Sequence, residues 1–345
     1  MSIIKLNEVY KPKKEYKVIV KTITYNQSKY IQDTLNGIAL QKTDFPFVSI
    51  VLEDNSSDSE QDIIKIWLER ECNMSLAEYY DIPTADVIIT PHKTNSNCTF
   101  AIYFHKENLF RQKAKREEQV NPWRINSKYE ALCEGDDYWT DPYKLQKQTN
   151  LLESNNSCGL CYTKAKVYNQ KNNSFYNYPI GEKQESFEEL LIGNKIPTLT
   201  TLYKIELYNK YINNIKPETK NWLMGDYPMW LWFSVNSKII FLEEETSVYR
   251  LLENSASHCD NINKHETFTN STREIRLFYL NIFNKSNLTN LVNDLYFREN
   301  MQFAERMKIR DKALQNLNKI KNKSLKECIK SILYKTNLGF TWINR

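Results

Sequence analysis

Glycine is nearly missing from this chain, with 7 residues in 345 where ~7% of positions is usual. No basic, Gly-rich phosphate loop lies near the N-terminus, which argues against nucleotidyl transfer. Each glycine that remains becomes a question about backbone angle or close approach. Cysteine is thin too. Seven thiols, an odd number spread over the chain, argue for reduced side chains in a cytoplasm and against a disulfide framework. Cys158-Gly159-Leu160-Cys161 has redox-motif spacing, but it falls inside a predicted strand without a second ligand pair and reads as core. No apolar run approaches the ~18 residues of a membrane span. Met1 to Glu8 shows no charged-then-apolar signal pattern, so neither a secreted nor an integral membrane protein is expected.

What is present suits a folded enzyme-sized body. Hydrophobic residues are 41% and charged residues 26%, enough to offset the entropy of folding in one large core or two modest ones. The net charge of +5 is unevenly placed: residues 303–345 hold 11 Lys/Arg against 3 Asp/Glu, and residues 1–302 hold 36 against 39. A nucleic-acid binder carries its positive charge on the folded face, so no nucleic-acid partner is expected.

The first two-thirds alternates strand and helix signals. Lys17–Thr24, Phe47–Leu52, Ala85–Thr90 and Lys128–Cys133 read as strands. Tyr30, Ile31, Leu35 and Ile38 recur at helical spacing. Asp58 with Gln61 predicts a capping box for a helix carrying Ile63, Ile64, Trp67 and Leu68, and Ser186 with Glu189 predicts another ending at Gly193. Asp141 before Pro142 predicts an N-cap with proline at the first helical position. His92–Ser127 reads as polar and irregular. Such alternation predicts an α/β layer fold with a largely parallel sheet, which binds ligands beyond the carboxyl ends of its strands.

Carboxylates collect at those ends. Strand two runs into Glu53-Asp54, and strand four into Glu134-Gly135-Asp136-Asp137. Three carboxylates in four residues repel unless a cation shares them, and a hard divalent ion such as Mg²⁺ or Mn²⁺ is the natural partner. The alternative is a solvated acidic turn capping the next helix, a task Asp141 already fills. Gly225-Asp226 repeats the pairing of a rare glycine with an acid, ahead of an aromatic helix. Beside Trp222, Trp230 and Trp232 a carboxylate is expected to be partly desolvated, as suits a general base; an ordinary N-cap explains it as well. Arg250 and His258 have chemistry suited to a diphosphate or its metal.

In order, Thr24-Tyr25-Asn26, Glu53-Asp54-Asn55-Ser56-Ser57-Asp58, Glu134-Gly135-Asp136-Asp137-Tyr138-Trp139 and Gly225-Asp226-Tyr227-Pro228 closely resemble family 2 glycosyltransferases of the GT-A fold. Those bacterial enzymes build capsule, lipopolysaccharide and related surface glycans. The similarity runs from Lys17 to His258. It implies a Rossmann-like, mostly parallel sheet flanked by helices in a catalytic domain over 1–262, with a nucleotide half at about 15–140 and an acceptor half at about 141–262. A helical basic extension over 263–345 follows. It further implies that Thr24, Tyr25, Asn26 and Asp54 hold the nucleotide base and ribose. Glu134-Gly135-Asp136 matches the D-x-D motif with Asp136 on Mn²⁺ or Mg²⁺, and Asp137 supports the sugar or the metal shell. Asp226 takes the place of the catalytic base, while Arg250 and His258 close over the diphosphate, His258 also serving the metal. Two departures stand out. The motif begins with Glu134 instead of Asp, and the 92–127 stretch is longer than the family's usual link. Lys93 and Arg111 are the candidates there for a basic residue on the nucleotide.

The activity so implied is inverting transfer of a hexosyl or N-acetylhexosaminyl group from a nucleotide-diphosphate sugar, UDP by resemblance, to a glycan or lipid-linked acceptor. The rival reading is an inactive homologue that binds glycan or nucleotide within an assembly; it predicts lost acids, and Asp54, Asp136, Asp137 and Asp226 are all present. In the tail, Leu325, Cys328, Ile329, Ile332 and Leu333 form an apolar stripe. It is expected to pack on the catalytic domain or a second subunit, or to lie with Phe340 and Trp342 on the inner face of the cell membrane.

Overall fold

The computed structural model describes residues 4–5, 10–110, 112–252 and 261–335. The strands are β1 (Ile4–Lys5), β2 (Val18–Thr24), β3 (Phe47–Glu53), β4 (Glu78–Ile82), β5 (Ala85–Pro91), β6 (Cys98–His105), β7 (Tyr129–Leu132), β8 (Tyr138–Trp139), β9 (Cys158–Asn169), β10 (Ser174–Phe175), β11 (Leu202–Lys204) and β12 (Lys238–Leu251). The helices are α1 (Ile31–Ala39), α2 (Glu60–Glu71), α3 (Lys113–Arg124), α4 (Lys144–Ser154), α5 (Phe187–Ile192), α6 (Ile205–Ile215), α7 (Asp226–Asn236), α8 (Ile262–Ile282), α9 (Thr289–Arg306), α10 (Arg310–Lys319) and α11 (Leu325–Lys335). The chain is thus mixed α/β, with one large sheet and a helical C-terminal part. It divides into two compact units: Met1–Glu185, Lys195–Glu218 and Phe233–Leu251 form the first, and Ser186–Asn194, Thr219–Trp232 and Leu252–Arg345 the second.

The sheet belongs to the first unit and runs β1-β4-β5-β6-β3-β2-β7-β11-β9-β12-β8, with β10 hung on β9. A parallel sheet was expected, and the four central strands β6, β3, β2 and β7 are parallel. The flanks are mixed: β4, β5 and β6 form an antiparallel meander and β11 runs antiparallel to both β7 and β9, while β1 with β4 and β9 with β12 pair in parallel. The physical reason on the first flank is the two-residue Pro83-Thr84 turn between Ile82 and Ala85, which is too short for the crossover that parallel pairing needs. The central strands β3 and β6 are buried at every position, as expected where helices cover both faces.

The 92–127 stretch is not irregular. It contains β6, a full central strand, and α3. Arg124 of α3 pairs with Glu130 at 2.6 Å and Glu117 at 2.7 Å, and Lys21 of β2 lies 3.1 Å from Glu117 and 3.4 Å from Glu130. Two acids and two bases therefore balance as α3 docks on the sheet, the condition under which buried charge is tolerated. Cys158 and Cys161 are buried free thiols in β9, as expected of core.

Three caps were expected and one forms. Ser186 and Glu189 make the reciprocal capping box at 3.2 and 3.1 Å, and the helix stops at Gly193. Asp58 instead accepts from the Glu60 amide at 3.0 Å, while Gln61 reaches back to Glu53 at 2.6 Å. Asp141 accepts from the Tyr143 amide at 2.9 Å, and α4 begins only at Lys144. In both cases a side chain with a tertiary or turn partner closes a local loop before the helix starts.

The second unit is helical. Met301, Ala304, Ala313, Leu317, Ile320 and Tyr334 form one small core within it. The tail stripe is not what α11 buries: Tyr334 and Glu327 point inward, Glu327 pairing with Arg298 at 2.7 Å, while Leu325, Ile329 and Ile332 are exposed. Phe340 and Trp342 lie outside the described residues.

Candidate active site

Because β2, β3 and β7 run parallel and adjacent, their carboxyl ends at Thr24, Glu53 and Leu132 deliver three loops to one edge of the sheet. The loop after β2 is bolted to the loop after β3. Asn26, at φ 56° in the left-handed region that asparagine tolerates, accepts from the amides of Ser57 at 2.8 Å and Asp58 at 3.3 Å, and its own amide donates to Ser56 at 2.9 Å. Thr24 is buried, and its hydroxyl donates to Glu60, which also accepts from the Gln27 amide at 2.8 Å and Ser56 at 2.8 Å. Tyr25 alone in this turn presents an exposed ring.

The acidic loop after β7 sits directly on Thr24. A Cβ placed on Gly135 would come within 2.1 Å of Thr24 Oγ1 and 2.5 Å of its Cβ, so only glycine brings this backbone so close. The Gly135 amide donates to Ile23 O at 3.1 Å, and Thr34 of α1 donates to Gly135 O at 3.0 Å and Asp137 O at 2.6 Å. Asp137 is buried and accepts the Arg250 amide at 2.8 Å. Burial first, then the charges of Asp136 and Glu134, hold its carboxyl well above the ordinary range. Burial also raises Asp136, against the opposing influence of Arg250 and a hydrogen bond from Gln27. The two interact, so burial and like charge together disfavour full ionisation of the pair.

Arg250 lies beneath this loop with only 6% of its surface exposed. Its Nε donates to Asp136 O at 2.9 Å, one terminal nitrogen to Gln170 at 2.9 Å and the other to Asp33 at 2.7 Å. Its guanidinium faces the rings of Tyr30, Tyr138 and Tyr168 at 4.8, 5.2 and 5.8 Å. These contacts make it a positioning residue for the acidic loop.

Asp54 is 1% exposed, and its Oδ1 accepts from the Leu109 amide at 2.7 Å and meets His105 Nδ1 at 2.9 Å. Arg116 lies 4.0 Å away. Burial pushes this carboxyl up, but the His105 and Leu109 hydrogen bonds, with the charges of His105 and Arg116, reverse the shift and hold it below the usual range. His105 continues to Gln119 at 2.8 Å and Gln119 to Thr84 at 2.9 Å. The sequence reading missed His105, Arg116 and Gln119. The signal was there: Cys98–His105 is an unbroken buried-strand run ending in a histidine at the carboxyl edge. Lys93, a candidate for the nucleotide, instead donates to Glu69 O at 2.8 Å and Arg70 O at 2.6 Å at the end of α2, where a cation meets the helix dipole. Arg111 and His258 lie outside the described residues.

Asp226 belongs to the second unit. It opens α7, is partly buried, and accepts the Tyr227 amide at 2.8 Å. Tyr227 secures that turn within the unit, its hydroxyl donating to Leu190 O at 2.8 Å and accepting from Arg276 at 3.0 Å. A Cβ on Gly225 would meet nothing within 4 Å, so this glycine is not required by space as Gly135 is.

Among the described residues no group of three or more His, Cys, Asp or Glu side chains is placed to hold a metal alone. The donor set nevertheless fits a hard cation. Gln27 bonds to Asp136, and its Oε1 is buried without a hydrogen-bond partner. An orphaned carbonyl oxygen beside a desolvated carboxylate is the oxygen-only chemistry of Mg²⁺ or Mn²⁺, ions that keep waters and take further ligands from phosphate.

No protein-family model matches the chain. Among curated proteins it is similar to uncharacterized proteins of Mycobacterium bovis and Mycobacterium tuberculosis, at 29% identity over 232 residues, 66% of this chain and 57% of each relative. The chain therefore spans little more than half the length of the curated relatives it matches. Among solved structures it is similar to residues 1–349 of Staphylococcus aureus TarS in complex with UDP-GlcNAc, at 14% identity and TM-score 0.49, covering 93% of this chain and 92% of that one. It is similar also to a Pyrobaculum calidifontis mannosyltransferase in complex with GDP-Man and Mn²⁺, at 11% identity and TM-score 0.49, covering 97% and 86%.

Proposed function

We propose that the protein is a family 2, GT-A-type glycosyltransferase. It would transfer a hexosyl or N-acetylhexosaminyl group, with inversion, from a nucleotide-diphosphate sugar to a glycan or lipid-linked acceptor in bacterial surface polysaccharide synthesis. UDP is the nucleotide this reading favours. The observation that carries it is the acidic loop at the carboxyl edge of the parallel strands, pressed onto Thr24 through Gly135, with a desolvated Asp136 beside an orphaned Gln27 oxygen.

In this reading Tyr25 meets the base, and Thr24, Asn26 and Asp54 shape the turn that receives the nucleotide. Asp136 and the Gln27 oxygen would hold Mn²⁺ or Mg²⁺, with Glu134, Asp137 and His258 in support. When bound, the ion would supply Lewis-acid stabilisation of the leaving diphosphate. Arg250 holds the acidic loop in place from below. Asp226 takes the proton of the acceptor hydroxyl as its oxygen attacks the anomeric carbon on the face opposite the leaving group, through an oxocarbenium-like state. A single displacement of this kind inverts the configuration.

Thermal unfolding with a panel of nucleoside diphosphates, each with and without Mn²⁺, tests the reading, because a ligand that binds only the folded state raises the melting point. UDP is expected to raise it only with the metal, and Asp136→Asn is expected to lose that rise. If no nucleotide moves the midpoint, the inactive glycan-binding homologue becomes the better description.

A further inference from the structure

The hairpin joining β9 to β10 has an unusual composition. From Tyr168 to Tyr178 the residues are Tyr, Asn, Gln, Lys, Asn, Asn, Ser, Phe, Tyr, Asn and Tyr: four aromatics, five amides and no aliphatic side chain. Tyr168 and Phe175 are register partners across the hairpin, their rings edge-to-face at 4.9 Å and 64°. Such pairs are favourable in themselves, yet Phe175 remains 50% exposed. On the neighbouring strand β12, Arg250 is the register partner of Tyr168, so Arg250, Tyr168 and Phe175 share one face of the sheet. That face leads straight to the acidic loop, because the same guanidinium bonds to Asp136 O, Gln170 and Asp33. Asp33 keeps its own side chain 53% exposed.

A half-exposed ring packed on Tyr168, with a fixed cation on the strand beyond, an amide-rich turn and an accessible carboxylate on that cation, matches a polyhydroxylated ring. The carbon-bound hydrogens of one pyranose face lie on the aromatic face, and the hydroxyls around its rim find amide and carboxylate partners. A peptide or acyl chain would call for aliphatic walls, and this hairpin has none. We propose that the Tyr168–Phe175 face of the hairpin is where the acceptor glycan is gripped, one pyranose stacking on Phe175; this rests on the sugar-transfer reading given above. The assignment is specific to that face. Tyr176 donates its amide to Val167 O, one register step on, so its side chain and the Tyr178 ring stacked on it at 5.3 Å belong to the opposite face.

Saturation-transfer NMR on the full chain without donor tests this, with cellotriose, maltotriose and tri-N-acetylchitotriose as probes. At least one is expected to receive saturation from aromatic protons. Phe175→Ala, which replaces a half-exposed ring and keeps the ligand-free melting point, is expected to weaken that binding at least about fivefold. Tyr176→Ala combined with Tyr178→Ala is expected to leave it unchanged. Binding of none of the three sugars, equal binding by Phe175→Ala, or equal loss in the opposite-face double variant overturns the proposal. Melting with UDP and Mn²⁺ in the same samples separates the two readings. Its failure in the wild type sinks sugar transfer while leaving the glycan contact standing, and a normal UDP shift with no sugar binding does the reverse.

Discussion

Gly135-Asp136 and Gly225-Asp226 look like one device used twice, and they are not. At Gly135 a side chain would strike Thr24, so the glycine lets two backbones meet and sets the acids of the loop against the ends of three parallel strands. At Gly225 there is open space. One residue later an acid opens α7 and accepts the amide of its neighbour Tyr227. The same dipeptide thus serves steric approach in one place and merely leads into a helix in the other.

Four changes would break or sharpen this contrast. The largest effect is expected from Asp226→Asn. If Asp226 is the general base, turnover should fall by about 10²–10⁴-fold, with UDP-dependent melting intact, as read by a transfer assay beside a melting curve. Next comes Gly135→Ala. Forcing a methyl group into Thr24 should cost about 1–3 kcal/mol, measured by urea unfolding, and should weaken the UDP–Mn²⁺ response as well.

The third concerns the scaffold beside the acidic loop. Lys144 is wholly buried, over the Trp139 ring at 4.1 Å and bonded to Gln148 at 2.8 Å. Burial pulls its pKa down to about 7 from 10.5. Between those values the unfolded chain holds a proton that the folded one has shed, so stability should rise with pH across that window; below about 7 the penalty is fully present. Lys144→Met should flatten the rise, as read from unfolding midpoints between about pH 7 and pH 10. The smallest effect is expected from Gly225→Ala, within about 0.5 kcal/mol. A large loss there would show that the two glycines are equivalent after all.

Several features were legible in the residues because local patterns state them. Phe47–Leu52 announces a buried strand, Ser186 and Glu189 a capping box, and the run of acids after Lys128–Cys133 a loop at a carboxyl edge. The 92–127 stretch was misread because flanking asparagines and lysines mask the apolar run Cys98–His105, whose burial comes from strands distant in sequence. The caps at Asp58 and Asp141 failed for a related reason: each side chain found a nearer partner. Burial pattern alone could not separate the meander β4-β5-β6 from parallel pairing, since turn length decides it.

By itself, then, the sequence determined the α/β class, the order of the acids and the resemblance they carry, since period, composition and spacing are properties of the chain alone. Tertiary structure alone decided which acids are burdened. Asp54 is committed to His105 and the Leu109 amide, Asp137 to the Arg250 amide, and Asp136 is left with Gln27 beside an unpaired oxygen. Those assignments depend on desolvation and on partners 50 to more than 100 residues away, and no local pattern encodes them.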